Sequence, residues 1–223
     1  MHSATGQRAS RSCWHLAGTQ AELTADNLRG FIDLARPHLG LQQLNVTGRQ
    51  LVGSHLAISV GSATENAGDW QPHEPYARGD DLVATYREPR GEPFNLQVYW
   101  RLLSADEALA TLDLIAAIHT PLWEAYPSVT VTSTDREEVL HQSEHVRLRR
   151  AGQFFCLEMT RKGDFEPIND ADNAGWRYGD VFTERGVIRK LQLRTSWFAS
   201  QPDVGTMTSL LQSFLAEQPP LTT

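Results

Sequence analysis

Two stretches of this chain repeat each other 97 residues apart, which restricts how the chain can fold. That offset places Leu96 on Leu193, Trp100 on Trp197, Asp106 on Asp203, Leu114 on Leu211 and Ile118 on Leu215 without a gap. Shorter offsets pair Tyr86 with Phe182, Gly91 with Gly186 and His55 with His145. A solenoid repeats in units of ~20–50 residues and needs roughly three or more of them, so two long copies point elsewhere. The pattern predicts a mobile tail over residues 1–20 and one domain over 21–223, built from diverged halves at about 41–122 and 128–217.

Each copy contains a segment of period two. Leu96, Val98, Trp100 and Leu102 alternate with Gln97, Tyr99 and Arg101, and Leu191, Leu193, Thr195 and Trp197 alternate with Lys190, Gln192, Arg194 and Ser196. Such text belongs to strands with one face on a core. Residues 82–87 and 94–102 flank the turn-forming Glu88-Pro89-Arg90-Gly91-Glu92-Pro93 and predict an antiparallel hairpin.

Three segments have helical spacing. Leu28, Phe31, Ile32 and Ala35 follow a cap at Thr24 or Asp26 and predict a helix over 23–36. The capping box Ser104-Ala105-Asp106-Glu107 precedes Leu109, Leu112, Ile115, Ala116 and His119, which predict a second helix ending before Pro121. A third is expected over 202–217. The expected fold class is therefore α+β, an internally duplicated antiparallel sheet with helices packed on one face. This element order resembles the TATA-binding-protein class of architecture, a likeness that carries no function.

Charge restricts the partners. Twenty-seven acidic and twenty basic side chains give a formal charge of −7, which opposes binding to nucleic acid or an anionic membrane. A protein, a small molecule or a second copy in a homodimer remain as partners. Cys13 and Cys156 lack metal or redox spacing, no apolar leader opens the chain, and no apolar run has spanning length. A cytoplasmic protein is expected. Neither a phosphate loop nor G-x-G-x-x-G occurs, so no cofactor is expected.

The run Tyr76-Ala77-Arg78-Gly79-Asp80-Asp81-Leu82-Val83-Ala84-Thr85-Tyr86, followed by Gln97-Val98-Tyr99-Trp100-Arg101, resembles an uncharacterised family of bacterial proteins with no assigned activity. The resemblance implies a bacterial origin and supplies no functional residues.

Three constellations are candidate sites. His141-Gln142-Ser143-Glu144-His145 matches H-x-x-E-H, in which two histidines on one helix face bind zinc and the glutamate acts as base. Strand-like alternation after His145 argues against that helix, so His141 and His145 are weak metal candidates. Trp70 and Trp176 fall in breaker-rich text, where exposed aromatics serve recognition. Tyr99, Arg101 and Arg194 project from the polar face of the expected sheet, together with Gln97, Lys190 and Gln192. With no nucleophile elbow and no catalytic set in the text, the sequence points to a non-catalytic binding or interaction protein rather than an enzyme. The alternatives are a zinc-dependent hydrolase using the H-x-x-E-H motif and an enzyme with a dispersed site.

Overall fold

Antiparallel strands make up nearly all of the regular structure in the computed structural model, which describes residues 13–61, 69–104, 107–134, 138–170, 173–179 and 181–218. Strands β1 (Trp14–Ala17), β2 (Gln20–Thr24), β3 (Leu28–Asp33), β4 (Gln42–Val46) and β5 (Arg49–Gln50) form a five-stranded meander. Strand β6 (Ala57–Val60) is followed by β7 (Pro72–Arg78), β8 (Asp81–Tyr86), β9 (Asn95–Leu103) and β10 (Ala110–His119). Next come β11 (Glu124–Ala125), β12 (Val129–Ser133), β13 (Val139–Gln142), β14 (Val146–Ala151) and β15 (Phe154–Thr160). Strands β16 (Glu166–Asp170), β17 (Asn173–Tyr178), β18 (Thr183–Glu184) and β19 (Ile188–Phe198) lead into helix α1 (Val204–Ala216).

An eight-stranded sheet in the order β13-β14-β15-β19-β10-β9-β8-β7 faces the meander and a four-stranded sheet, β16-β17-β12-β6. One core joins all three sheets, with Trp100 and Trp197 from the large sheet, Leu23 and Ile32 from the meander, and Val131 and Trp176 from the four-stranded sheet. The Tyr86 hydroxyl ties the layers by donating to the Leu34 carbonyl at 2.9 Å. At Gly40, φ is +59° and a Cβ would lie 2.4 Å from the His55 carbonyl oxygen, so only glycine lets the chain reach the Leu41–His55 bridge.

The fold is thus a β-sandwich, and the α+β expectation is corrected. Residues 23–36 form the end of β2, then β3, with Asp26 and Asn27 in the connecting turn instead of at a helix cap. A register shift between Arg29 and Phe31 interrupts the alternation of β3 and leaves spacing that mimics a helix. In the second predicted helix, Ala105 and Asp106 of the capping box lie outside the described residues, and 110–119 is strand β10. Strand β10 is paired on both sides, and its Leu114-Ile115-Ala116-Ala117-Ile118 is an unbroken apolar run that masks the alternation of the two faces. The third helix is present as α1, where the Asp203 carboxylate accepts the Thr206 amide at 2.7 Å.

The expected hairpin is β8 paired with β9. Trp100 and Trp197 are both fully buried, on β9 and β19, which flank β10. Strand β9 leads into another strand and β19 into a helix, so the duplicated sheet with equivalent helices is not formed. Strand β1 begins at Trp14, within the segment assigned to a tail. No helix among the described residues is long and apolar enough to cross a membrane.

Candidate functional site

The polar face foreseen in the sequence lies on the outside of the eight-stranded sheet, and strand register gives it an order that spacing could not show. Arg194 of β19 stands opposite Asp113 of β10, Asp113 opposite Arg101 of β9, Arg101 opposite Asp81 of β8, and Asp81 opposite Arg78 of β7. Positive and negative groups therefore alternate across five strands, a favourable cross-strand arrangement. Arg194 holds Asp113 with two bonds of 2.7 and 2.9 Å, and Arg101 holds Asp81 with two of 2.6 and 2.8 Å. Beyond the last residue of α1, Glu217 closes the ladder on Arg194 with bonds of 2.6 and 2.7 Å.

Neutral donors and acceptors flank this row. Gln192 donates to Asp113 at 2.7 Å, the Tyr99 hydroxyl donates to Gln97 at 2.7 Å, and Gln97 donates to Thr85 at 3.1 Å. Two concavities open on this face, the first at the Arg194–Glu217 end of the ladder. One, about 560 Å³, lies between α1 and the sheet and is lined by Ser104, Thr111, Arg194, Ser196, Ser209, Ser213 and Glu217. The other, about 520 Å³, lies along β7 and is lined by His73, Tyr76, Thr85, Arg87 and Gln97.

Helix α1 covers the neighbouring part of the same face, where Met207 and Phe214 pack on Val146, Leu148, Leu157, Met159 and Phe198. Phe214 also lies between two guanidinium groups, Arg161 at 4.7 Å and Arg194 at 4.8 Å. Arg161 caps the helix end by donating to the carbonyls of Phe214, Leu215 and Glu217.

Arg194 and Glu217 hold each other in the charged form. Burial works against the Arg194 charge, but hydrogen bonds to Asp113 and Glu217 outweigh it and raise its pKa above the ordinary arginine value. The Arg194 hydrogen bonds in turn hold Glu217 below the usual carboxylate range.

Behind Gln192, Asp164 accepts the Gln192 amide at 3.0 Å, and burial pushes its carboxyl up to about 6. An acid with a raised folded-state pKa contributes stability that is complete below its unfolded value and is lost as pH rises through the folded one. Asp164→Asn should therefore match the parent near pH 4 and exceed it above pH 7 by up to ~2 kcal/mol after screening, as urea unfolding at the two pH values would show.

The other predicted site residues are placed differently. Tyr99 is 4% exposed, held in a small cluster with Val83 and Ile115 that forms the next row on the same face. Trp70 and Trp176 are core residues, not exposed loop aromatics. Trp70 meets Tyr86 edge-on at 4.9 Å, while Trp176 donates its indole N–H to Glu158 at 2.7 Å and carries Arg147 over its ring at 4.9 Å. His141 sits on β13 and His145 in the turn before β14, so the H-x-x-E-H text spans a hairpin and not a helix. Among the described residues no group of three or more His, Cys, Asp and Glu is placed to hold a metal ion. Sequence reasoning missed Asp81 and Asp113, the acidic halves of the ladder, which share a face with Val83 and Ile115.

An all-β sandwich with a charge-paired outer face is the class that fold and site define. No protein-family model and no curated protein matches the chain. Solved structures do match. A kojibiose phosphorylase from the human microbiome shows 8% identity and a TM-score of 0.51, over 92% of this chain and 33% of that one. A polysaccharide lyase shows 11% identity and a TM-score of 0.53, over 89% of this chain and 35% of that one. A mutant heparan sulfate lyase from Pedobacter heparinus shows 8% identity and a TM-score of 0.50, over 82% of this chain and 36% of that one. The chain spans about a third of the length of these proteins, and at such identity the likeness is one of fold.

Proposed function

We propose that the protein is a non-catalytic binding module that takes a neutral, polyhydroxylated ligand, a saccharide, along the outer face of its large sheet. The observation that carries this reading is that the ladder's carboxylates are already engaged: Asp81 by Arg101, and Asp113 and Glu217 by Arg194. An ionic ligand would have to break one of these pairs and strand the displaced group, a costly exchange at partly buried sites. Hydroxyl groups bond to paired carboxylates and guanidinium groups without disturbing them. The serines and threonine of the cleft add donors and acceptors of the same kind.

The three named likenesses support the choice of ligand, since each name refers to a saccharide substrate. The formal charge of −7 disfavours the sulfated member of that group. Cys13 and Cys156 are not joined in a disulfide, which supports a reducing, cytoplasmic setting. The zinc-hydrolase alternative needs both histidines on one helix face, and the β13–β14 hairpin does not provide it.

Affinity electrophoresis through gels containing soluble neutral polysaccharides tests the reading. Ser209 lies on the exposed side of α1 and lines the cleft, so Ser209→Trp would fill it without touching the core. The expected result is retardation of the parent protein by at least one neutral polysaccharide, weakened about tenfold or more in the variant at unchanged melting temperature. Equal retardation of the two proteins, or none by any neutral polysaccharide, would overturn it.

A further inference from the structure

Among the described residues, seven of the twelve exposed large apolar side chains fall within residues 122–126 and 181–188. Trp123 is 80% exposed and Tyr126 60%, and Leu122, Phe182, Val187 and Ile188 are each about half exposed. They surround the two-stranded ribbon of β11 and β18, whose other residues, Ala125 and Thr183, point into the body of the protein and are buried. The Tyr126 and Phe182 rings lie 6.0 Å apart, and Arg185 stacks on Trp123 at 5.4 Å, so the patch is continuous. Isolated apolar side chains are ordinary on a protein surface, but a cluster of this kind marks an interaction site.

We infer that this patch is covered by a second copy of the chain, forming a twofold dimer. Its composition suits a protein partner: aromatic residues and arginine are enriched at interfaces, and the aliphatic Leu122, Val187 and Ile188 make it unlike a flat platform for sugar rings. Its charges suit a copy of itself: exposed Glu124, Glu184 and Arg185 lie together on or beside the ribbon, so the patch carries both signs, and an isologous interface would set the Arg185 of each protomer to face the carboxylates of the other. A partner carrying charge of a single sign would satisfy only part of this set. Strands of two residues are also marginal on their own and gain from a neighbour across the axis.

The dimer must form against the mutual repulsion of two chains of formal charge −7, which salt screens while leaving apolar burial intact. Sedimentation velocity over a dilution series, at low and high sodium chloride, tests the inference. The expected result is a dimer that tightens with salt and becomes a monomer in the double variant Trp123→Asp, Phe182→Asp, with the melting temperature of the diluted parent. Arg185→Glu alone should weaken the dimer, and mixing it with Glu124→Arg, Glu184→Arg should restore association between the two variants. A parent protein monomeric at every concentration and salt, or a dimer that survives the double variant, would overturn the inference. So would a monomer whose Trp123 fluorescence changes on adding polysaccharide, which would give the ribbon to the ligand instead.

Discussion

Glu158→Ala should destabilise the protein by about 3–5 kcal/mol, the usual consequence of removing one partner from a buried ion pair. Glu158 is 3% exposed and faces two arginines that are as deeply buried. Arg149 donates to it at 3.1 Å, Arg147 lies 3.7 Å from its second oxygen, and Trp176 donates to that same oxygen at 2.7 Å. Burial already depresses the pKa of Arg147, which keeps its charge by donating to Gln142 and to the Ile168 and Gly175 carbonyls. Without the carboxylate, the buried Arg147 guanidinium would keep only neutral hydrogen-bond partners, Gln142 and the Ile168 and Gly175 carbonyls. Glu158→Gln preserves volume and should lose most of the same free energy, which assigns the effect to charge. Urea unfolding gives both values as midpoint shifts at constant slope, and a loss below about 1 kcal/mol in Glu158→Ala would mean that water reaches the arginines.

Trp197→Ala should cost a similar ~3–5 kcal/mol, by cavity formation. Trp197 is fully buried where β19 pairs with Ala110 of β10 on one side and Cys156 of β15 on the other, so rigid backbone bounds the space it fills. Strands locked into a ladder on both sides cannot close over the void. A melting temperature unchanged by the substitution would contradict the placement of β19 at the centre of the sheet.

Legibility in this sequence depended on whether a strand keeps polar side chains on one face. The alternation at 96–102 and 190–197 was readable because β9 and β19 each carry a polar face, and those faces are the ones that hold Arg101 and Arg194. Helix α1 was readable from Asp203 and the apolar spacing behind it. Strand β10 was not, since apolar side chains on both faces over 114–118 hide the periodic signal, and the register shift in β3 produced a false one. The misplaced helices then implied a one-sided sheet in place of a sandwich. Trp70 and Trp176 looked exposed because their flanking text is rich in turn formers, yet each indole reaches back into the core. The ladder itself depends on register across five strands, which sets residues from four separate segments side by side, and no local motif records it.

The most direct test of a charge-balanced recognition face is calorimetric titration with a neutral oligosaccharide and with its sulfated counterpart, each at low and high salt. Paired charges predict binding of the neutral compound with a Kd that changes less than about twofold between ~0.05 and ~0.5 M sodium chloride, and weaker or no binding of the sulfated one. Preferential binding of the sulfated compound, with affinity falling steeply as salt rises, would contradict it, because the ladder arginines would then be available to an anion rather than held by Asp81, Asp113 and Glu217.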